Sequence, residues 1–171
     1  MVERTLEQYL AACTRSAIHL EMRDGYTLND PAYHAWQAGH RIDLNDRASW
    51  WRPWLQNIVN ATARGVVIRR ARIVSEPVSS YIRYEYDVTV PNVRAGEQVR
   101  WLPRRRATDL ALPGNDFWLF DEEVLLVHHF SGDGDKVDSE IITKLSVVGF
   151  HVTAFGAVWE RAIPHDQYRP E

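Results

Sequence analysis

A chain of 171 residues, 45% apolar with seven tryptophans and a net charge of only −3, has the make-up of one folded domain and not of a disordered or strongly basic chain. No apolar run reaches the roughly 18 residues of a membrane helix, and the charged, amphipathic start MVERTLEQYL does not read as a secretory leader. Cys13, the lone cysteine, allows neither an internal disulfide nor a cysteine-based zinc site, so the expected setting is cytoplasmic, away from membranes.

In chain order, residues 3–13 read as a short amphipathic helix. From Ala17 to Met22 the apolar Ile18, Leu20 and Met22 alternate with His19 and Glu21, the pattern of a half-buried strand. Asn29-Asp30-Pro31 places a proline just inside a helix start, with Asn29 or Asp30 as its cap. Trp51, Trp54, Leu55, Ile58, Val59 and Thr62 then recur at helical spacing, which predicts a helix over 49–64 closed by Gly65, with Pro53 in its first turn. Val66 to Val74 is strand-like and ends at Ser75-Glu76-Pro77.

Residues 78–92 carry two periods at once. Ile82, Tyr84, Tyr86, Val88 and Val90 alternate as in a strand, whereas Val78, Ile82, Tyr86, Thr89 and Val93 make a helical stripe. Gly96 precedes a second strand, Gln98 to Leu102, at a separation from the first that suits a strand–helix–strand crossover. An aromatic strand follows over Asp116 to Asp121, then a tight turn, a strand from Val124 to Phe130, and a hairpin through SGDGD into Val137 to Ile142. Leu145, Val148, Val152, Phe155, Trp159 and Ile163 predict a long final helix stopped by Pro164. The expected architecture is therefore a single α/β domain: a mixed sheet with a strand–helix–strand crossover, a C-terminal β-hairpin and a long C-terminal helix.

Several chemistries fail on spacing. SGDGDKVDSE resembles a calcium loop, but counted from Asp133 the fifth position is Val137 and the sixth, where glycine is needed, is Asp138. His128 and His129 are adjacent on a strand and so point to opposite faces, which prevents joint chelation of a metal unless a bulge intervenes. HExxH, P-loop, GxGxxG and GxSxG stretches do not occur. No cofactor or metal is expected.

Arginine is the informative polar residue: eighteen occur against two lysines. Residues 64–106 hold ten arginines and four carboxylates, while 107–171 hold twelve carboxylates and four basic residues. Such asymmetry marks either an anion-binding face or two halves that pair with each other. On a regular strand Arg70 and Arg72 share one face and Arg69 takes the other. Buried strand charges need partners, for which Glu76, Glu85, Asp116 and Asp121 are the candidates. Arg100 reads as part of an internal ion-pair network, and Arg104, Arg105 and Arg106 as an exposed lip. The candidate ligand- or partner-binding set is thus Arg70, Arg72, Arg100 and Arg104–Arg106, with Asp116 and Trp118 from the aromatic strand, at strand ends where open α/β sheets bind ligands. Asp116 and Asp121, five apart, are expected on opposite faces.

VSEPVSSYIRYEYDVTVPNVRAGEQVRWLPRR, followed by DFWLFDEEVLLVHHF, resembles the actinobacterial family of unknown function DUF6879, over about residues 15–164. The resemblance implies a helix across 78–92. Family members often stand beside helix-turn-helix regulators, which implies a regulatory role. The element order is also distantly similar to half of a phospholipase D-type nuclease, whose chemistry needs His-x-Lys; here HHF stands instead, and both lysines lie elsewhere. The leading expectation is a non-catalytic accessory protein that binds a helix-turn-helix transcription regulator or a small anionic ligand. Direct nucleic-acid binding, and a metal-dependent hydrolase using Asp116, Asp121 and His128, are the alternatives.

Overall fold

The computed structural model describes residues 4–26 and 29–171. Seven strands form one mixed sheet. β1 (Ser16–Glu21), β2 (Val67–Val74) and β3 (Gln98–Pro103) run parallel at its centre. β4 (Phe117–Phe120) lies antiparallel on the free side of β1 and continues into β5 (Val124–Phe130) and β6 (Lys136–Ile142), while the two-residue β7 (Ile163–Pro164) closes on β3. The order is β6-β5-β4-β1-β2-β3-β7, so the chain crosses from one side of β1 to the other between β3 and β4. Among the described residues no helix is long and apolar enough to cross a membrane.

Parallel neighbours need crossovers, and local chemistry supplies them. α1 (Leu6–Ala12) starts on a capping box between Thr5 and Gln8. In α2 (Pro31–Gln37), Pro31 opens the helix and Asp30 accepts the Ala32 amide at 2.8 Å. α3 (Pro53–Ala63) begins four residues later than its apolar spacing predicts. Pro53 holds Arg52 extended, and Arg47–Ser49 forms a separate 3-10 turn capped by Asp46. Residues 80–94 are helical: α4 (Ser80–Arg94) is capped by the Ser79 hydroxyl and makes the β2–β3 crossover.

α5 (Leu145–Arg161) ends two residues short of the expected Ile163. Ala162 turns extended, and Ile163 and Pro164 become β7. The hairpin between β5 and β6 closes through Ser131–Asp135, with Gly134 at positive φ, as SGDGD predicts.

α5 covers one face of the sheet, burying Ile18, Leu20, Ile73, Leu102, Phe117 and Leu119 against Val148, Phe155 and Val158. The opposite face packs Ile68, Trp118 and Phe120 on α1 and α3, and Val99 and Trp101 on α4 and Tyr168.

Asp121 ties the β4–β5 turn to the entry of β1. Its carboxylate accepts the amides of Thr14, Arg15 and Ser16 at 2.7–2.9 Å and the Cys13 thiol at 3.0 Å. Burial alone would raise that carboxyl, but the thiol and amide donors hold it well below the usual range. The thiol is itself pushed up to about 11, by burial and by Asp121. Asp121→Ala strands three amides and is expected to cost about 2–3 kcal/mol in urea denaturation; a loss under about 0.5 kcal/mol would show that water replaces the carboxylate freely.

Candidate functional site

The two-residue period of β1 and β2 turns His19, Glu21, Arg70 and Arg72 toward α3 and α4, and the parallel register sets His19 beside Arg70 and Glu21 beside Arg72. Glu21 bridges both cations. Its Oε1 accepts from Arg70 Nη1 at 2.7 Å, and its Oε2 accepts from Arg72 Nε. Arg70 Nε reaches Glu97 Oε1 at 2.6 Å, and Glu97 Oε2 accepts from Asn92 at 2.7 Å. Arg72 also pairs with Glu85 and donates to the Thr89 hydroxyl at 2.6 Å. The guanidinium carbons lie 5.6 Å from the Trp118 ring centre and 5.0 Å from that of Trp101, so each cation also rests on an aromatic face.

Two guanidiniums thus face three carboxylates in a region where side chains keep at most 15% exposure. Burial alone would raise the Glu21 carboxyl, but Arg72 and Arg70 overcome it and hold it well below its ordinary value. At Glu85 burial prevails over Arg72 and the value rises, which makes Glu85 the readier proton acceptor of the two.

Beside this network the His19 ring stacks on Trp118 at 4.2 Å, and His128 stands edge-on to it at 6.4 Å. Burial pushes both imidazoles down, His19 well below its ordinary value and His128 to about 4, so both are neutral near pH 7. His128 faces inward to Ser139, while His129 points the other way toward Glu140, as adjacent strand positions require. Asp116 accepts the Met22 amide at 2.9 Å and the Tyr26 hydroxyl, and burial pushes its carboxyl up to about 6.

The arginines fall into different environments. Arg70 and Arg72 are buried and paired. Among the described residues Arg100 meets no carboxylate, unlike the ion-pair role expected for it: it lies over Trp159 at 4.3 Å and donates to that residue's carbonyl at 2.9 Å. Arg104 departs from the exposed lip. It is half-buried and donates to the Met22 carbonyl at 2.6 Å, the Ile73 carbonyl at 3.1 Å and the Ser75 hydroxyl at 3.0 Å, with Asp24 at 3.3 Å. Arg105 and Arg106 are exposed; Arg105 pairs with Glu76 at 2.8 Å.

Among the candidate partners for the strand arginines, only Glu85 holds one. Glu76 serves Arg105 and the Tyr168 hydroxyl, and Asp116 and Asp121 accept amides at opposite ends of β4. The sequence reading did not pair Glu21, Glu97, Thr89 or Asn92 with the strand arginines. The one available signal was Glu97, set between the turn glycine Gly96 and β3. Among the described residues no group of three His, Cys, Asp or Glu side chains is placed to hold a metal ion.

A family model described as "Domain of unknown function (DUF6879)" matches residues 4–170. No curated protein matches the chain. Among solved structures, the phospholipase D family member Nuc from Salmonella typhimurium superposes with a TM-score of 0.50 at 10% identity, covering 95% of this chain and 88% of that one. TrmBL2, an archaeal chromatin protein with a novel mode of DNA binding, gives 0.49 at 14% identity, over 92% of this chain and 48% of that one. At such identities the likeness to Nuc is one of fold.

Arg70→Ala leaves the buried Glu97 without its cation and is expected to cost about 3–5 kcal/mol. Arg70→Met with Glu97→Gln should recover a large part of that loss, because no lone charge then remains. A single substitution costing under about 1 kcal/mol in urea denaturation would refute the network's importance.

Two buried groups bias stability in opposite directions with pH. Asp116, raised to about 6 by burial, binds its proton more tightly when folded. Its contribution is full below about pH 4 and is lost as pH rises through 6. His128, lowered to about 4, contributes above about pH 6.5 and loses that contribution as pH falls toward 4. Relative to the parent, Asp116→Asn should therefore gain as pH rises from 4 to 7, and His128→Gln as it falls, each by up to about 3 kcal/mol. Urea midpoints at four pH values read both slopes; parallel profiles for parent and variants would overturn these assignments.

Proposed function

The chain belongs to the DUF6879 family over nearly its whole length, and on that premise we propose a non-catalytic accessory or regulatory role. In this reading it binds a partner protein such as a helix-turn-helix transcription regulator, or a small anionic ligand, at the carboxyl ends of its parallel strands. The setting is cytoplasmic. The observation that carries the reading is the state of the arginines. The β2 pair is closed by the protein's own carboxylates, whereas Arg104 pins the turn after β3 and leaves Arg105 and Arg106 standing out from it. Beside them lies a cleft of about 300 Å³ lined by Ser75, Glu76 and Thr108. Carboxyl ends of parallel strands are where open α/β sheets place ligands, and a guanidinium fork suits carboxylate or phosphate.

Affinity capture of the tagged protein from its native cells, with mass spectrometry, tests this. A helix-turn-helix regulator should be retained in fixed proportion by the parent and lost by Arg105→Ala/Arg106→Ala, whose melting temperature stays within about 2 °C because exposed charges add little to stability. Equal retention by the variant would remove the lip from the interface. Retention of nucleic acid instead, with log K falling by about 0.9 per phosphate against log salt, would favour direct binding of duplex.

A further inference from the structure

A second concavity lies away from the lip, between α2, the Arg47–Ser49 turn and the outer side of α4. Its volume of about 710 Å³ is that of a small-molecule site. Five aromatic residues line it: Trp36, Trp50, Trp51, Tyr84 and Tyr86. Their planes are held from behind. Trp36 Nε1 donates to Asp87 at 2.7 Å, Tyr33 lies stacked at 6.3 Å from Trp36, and the Arg47 guanidinium sits 3.7 Å from the Trp51 ring centre.

Charge is unevenly shared in this wall. Arg41 and Arg52 face one carboxylate, Asp87. Arg41 lies over Trp36 at 4.4 Å, its Nη1 donates to the Trp36 and His40 carbonyls at 2.7 and 2.8 Å, and its Nε keeps Asp87 at a loose 3.7 Å; among the described residues Arg52 has only the neutral Asn92 oxygen, at 3.0 Å.

We propose that this pocket binds a small planar aromatic anion, with its ring among the tryptophans and tyrosines and its carboxylate or phosphate toward Arg41 and Arg52. Stacking selects a flat ring. The surplus guanidinium selects negative charge. The site is independent of Arg105 and Arg106.

Calorimetric titration with 2-naphthoate, 2-naphthalenemethanol and inorganic phosphate tests ring and charge separately. Naphthoate should bind with quenching of tryptophan fluorescence, at least about tenfold more tightly than the alcohol, and phosphate should not bind here. Arg41→Gln/Arg52→Gln should erase the preference for the acid while leaving alcohol binding unchanged. Ala35→Trp, which fills the pocket from the half-buried side of α2, should abolish both while the protein still melts cooperatively, and Arg105→Ala/Arg106→Ala should change neither. Absence of naphthoate binding at millimolar concentration, or binding that survives Ala35→Trp, overturns the proposal. Equal affinity for acid and alcohol overturns the anionic half of it.

Discussion

The bridge from Glu21 to Arg70 and Arg72 is the constraint on which the centre of this fold depends. Ions removed from water lose several kcal/mol of solvation each, and only a complete set of partners offsets that loss. Here the set spans four elements, with Glu21 from β1, the arginines from β2, Glu85, Thr89 and Asn92 from α4, and Glu97 at the head of β3. The same charges fix register. A one-residue slip of β2 would carry Arg70 and Arg72 to the face covered by α5, where Phe155 and Val158 offer no carboxylate. An all-apolar sheet of the same pattern would lack that penalty against the wrong pairing.

The network continues into the strand ends. Met22, the residue after β1, gives its amide to Asp116 and its carbonyl to Arg104, which also holds the Ile73 carbonyl near the end of β2. Asp24 accepts the Ser75 amide at 2.7 Å and its hydroxyl at 2.6 Å, joining the loop after β1 to the loop after β2. Four strand ends are thereby held together by one buried side chain, Asp116, and two half-buried ones, Arg104 and Asp24, each fixed by several hydrogen bonds. Arg105 and Arg106 follow directly from this base, which makes their presentation a property of the sheet and not of a free loop.

How much of this was legible in the chain depended on where polarity faced. α3 and α5 present apolar stripes to the sheet, and β2 and β3 are bounded by turn residues, so their existence could be read; Pro53 and Ala162 moved their ends. α4 could not be settled by periodicity, because it turns Glu85, Thr89 and Asn92 inward and tyrosines outward to a pocket. His19 and Glu21 failed for a related reason. Alternation with Ile18 and Leu20 reads as a solvent-facing edge, yet both faces of β1 are covered. Arg72 with Glu85 could be anticipated from charge alone, while Glu21 and Glu97 required the β1–β2–β3 register. The aromatic pocket draws on three segments separated in sequence, and no local pattern announces it.

The opposed charge of the two halves has a spatial outcome that differs from mutual neutralisation. The buried arginines of 64–106 are met mainly by Glu21, Glu85 and Glu97, all from the first hundred residues, and the nearest crossing of Arg105 to the acidic half is a loose 3.8 Å to Glu171. Much of the acidic surplus therefore stays on the surface, with Asp133, Asp135, Asp138 and Glu140 exposed along the β5–β6 hairpin. β6 is an edge strand, and outward charges there discourage pairing with another chain. Arg105 and Arg106 lie instead beyond β3, across the sheet from that hairpin. The domain is polarised along its strand order, with an acidic edge that repels an approaching anion and basic strand ends that attract it. An approaching anion is thus steered by the same division of charge that keeps the sheet edge unpaired.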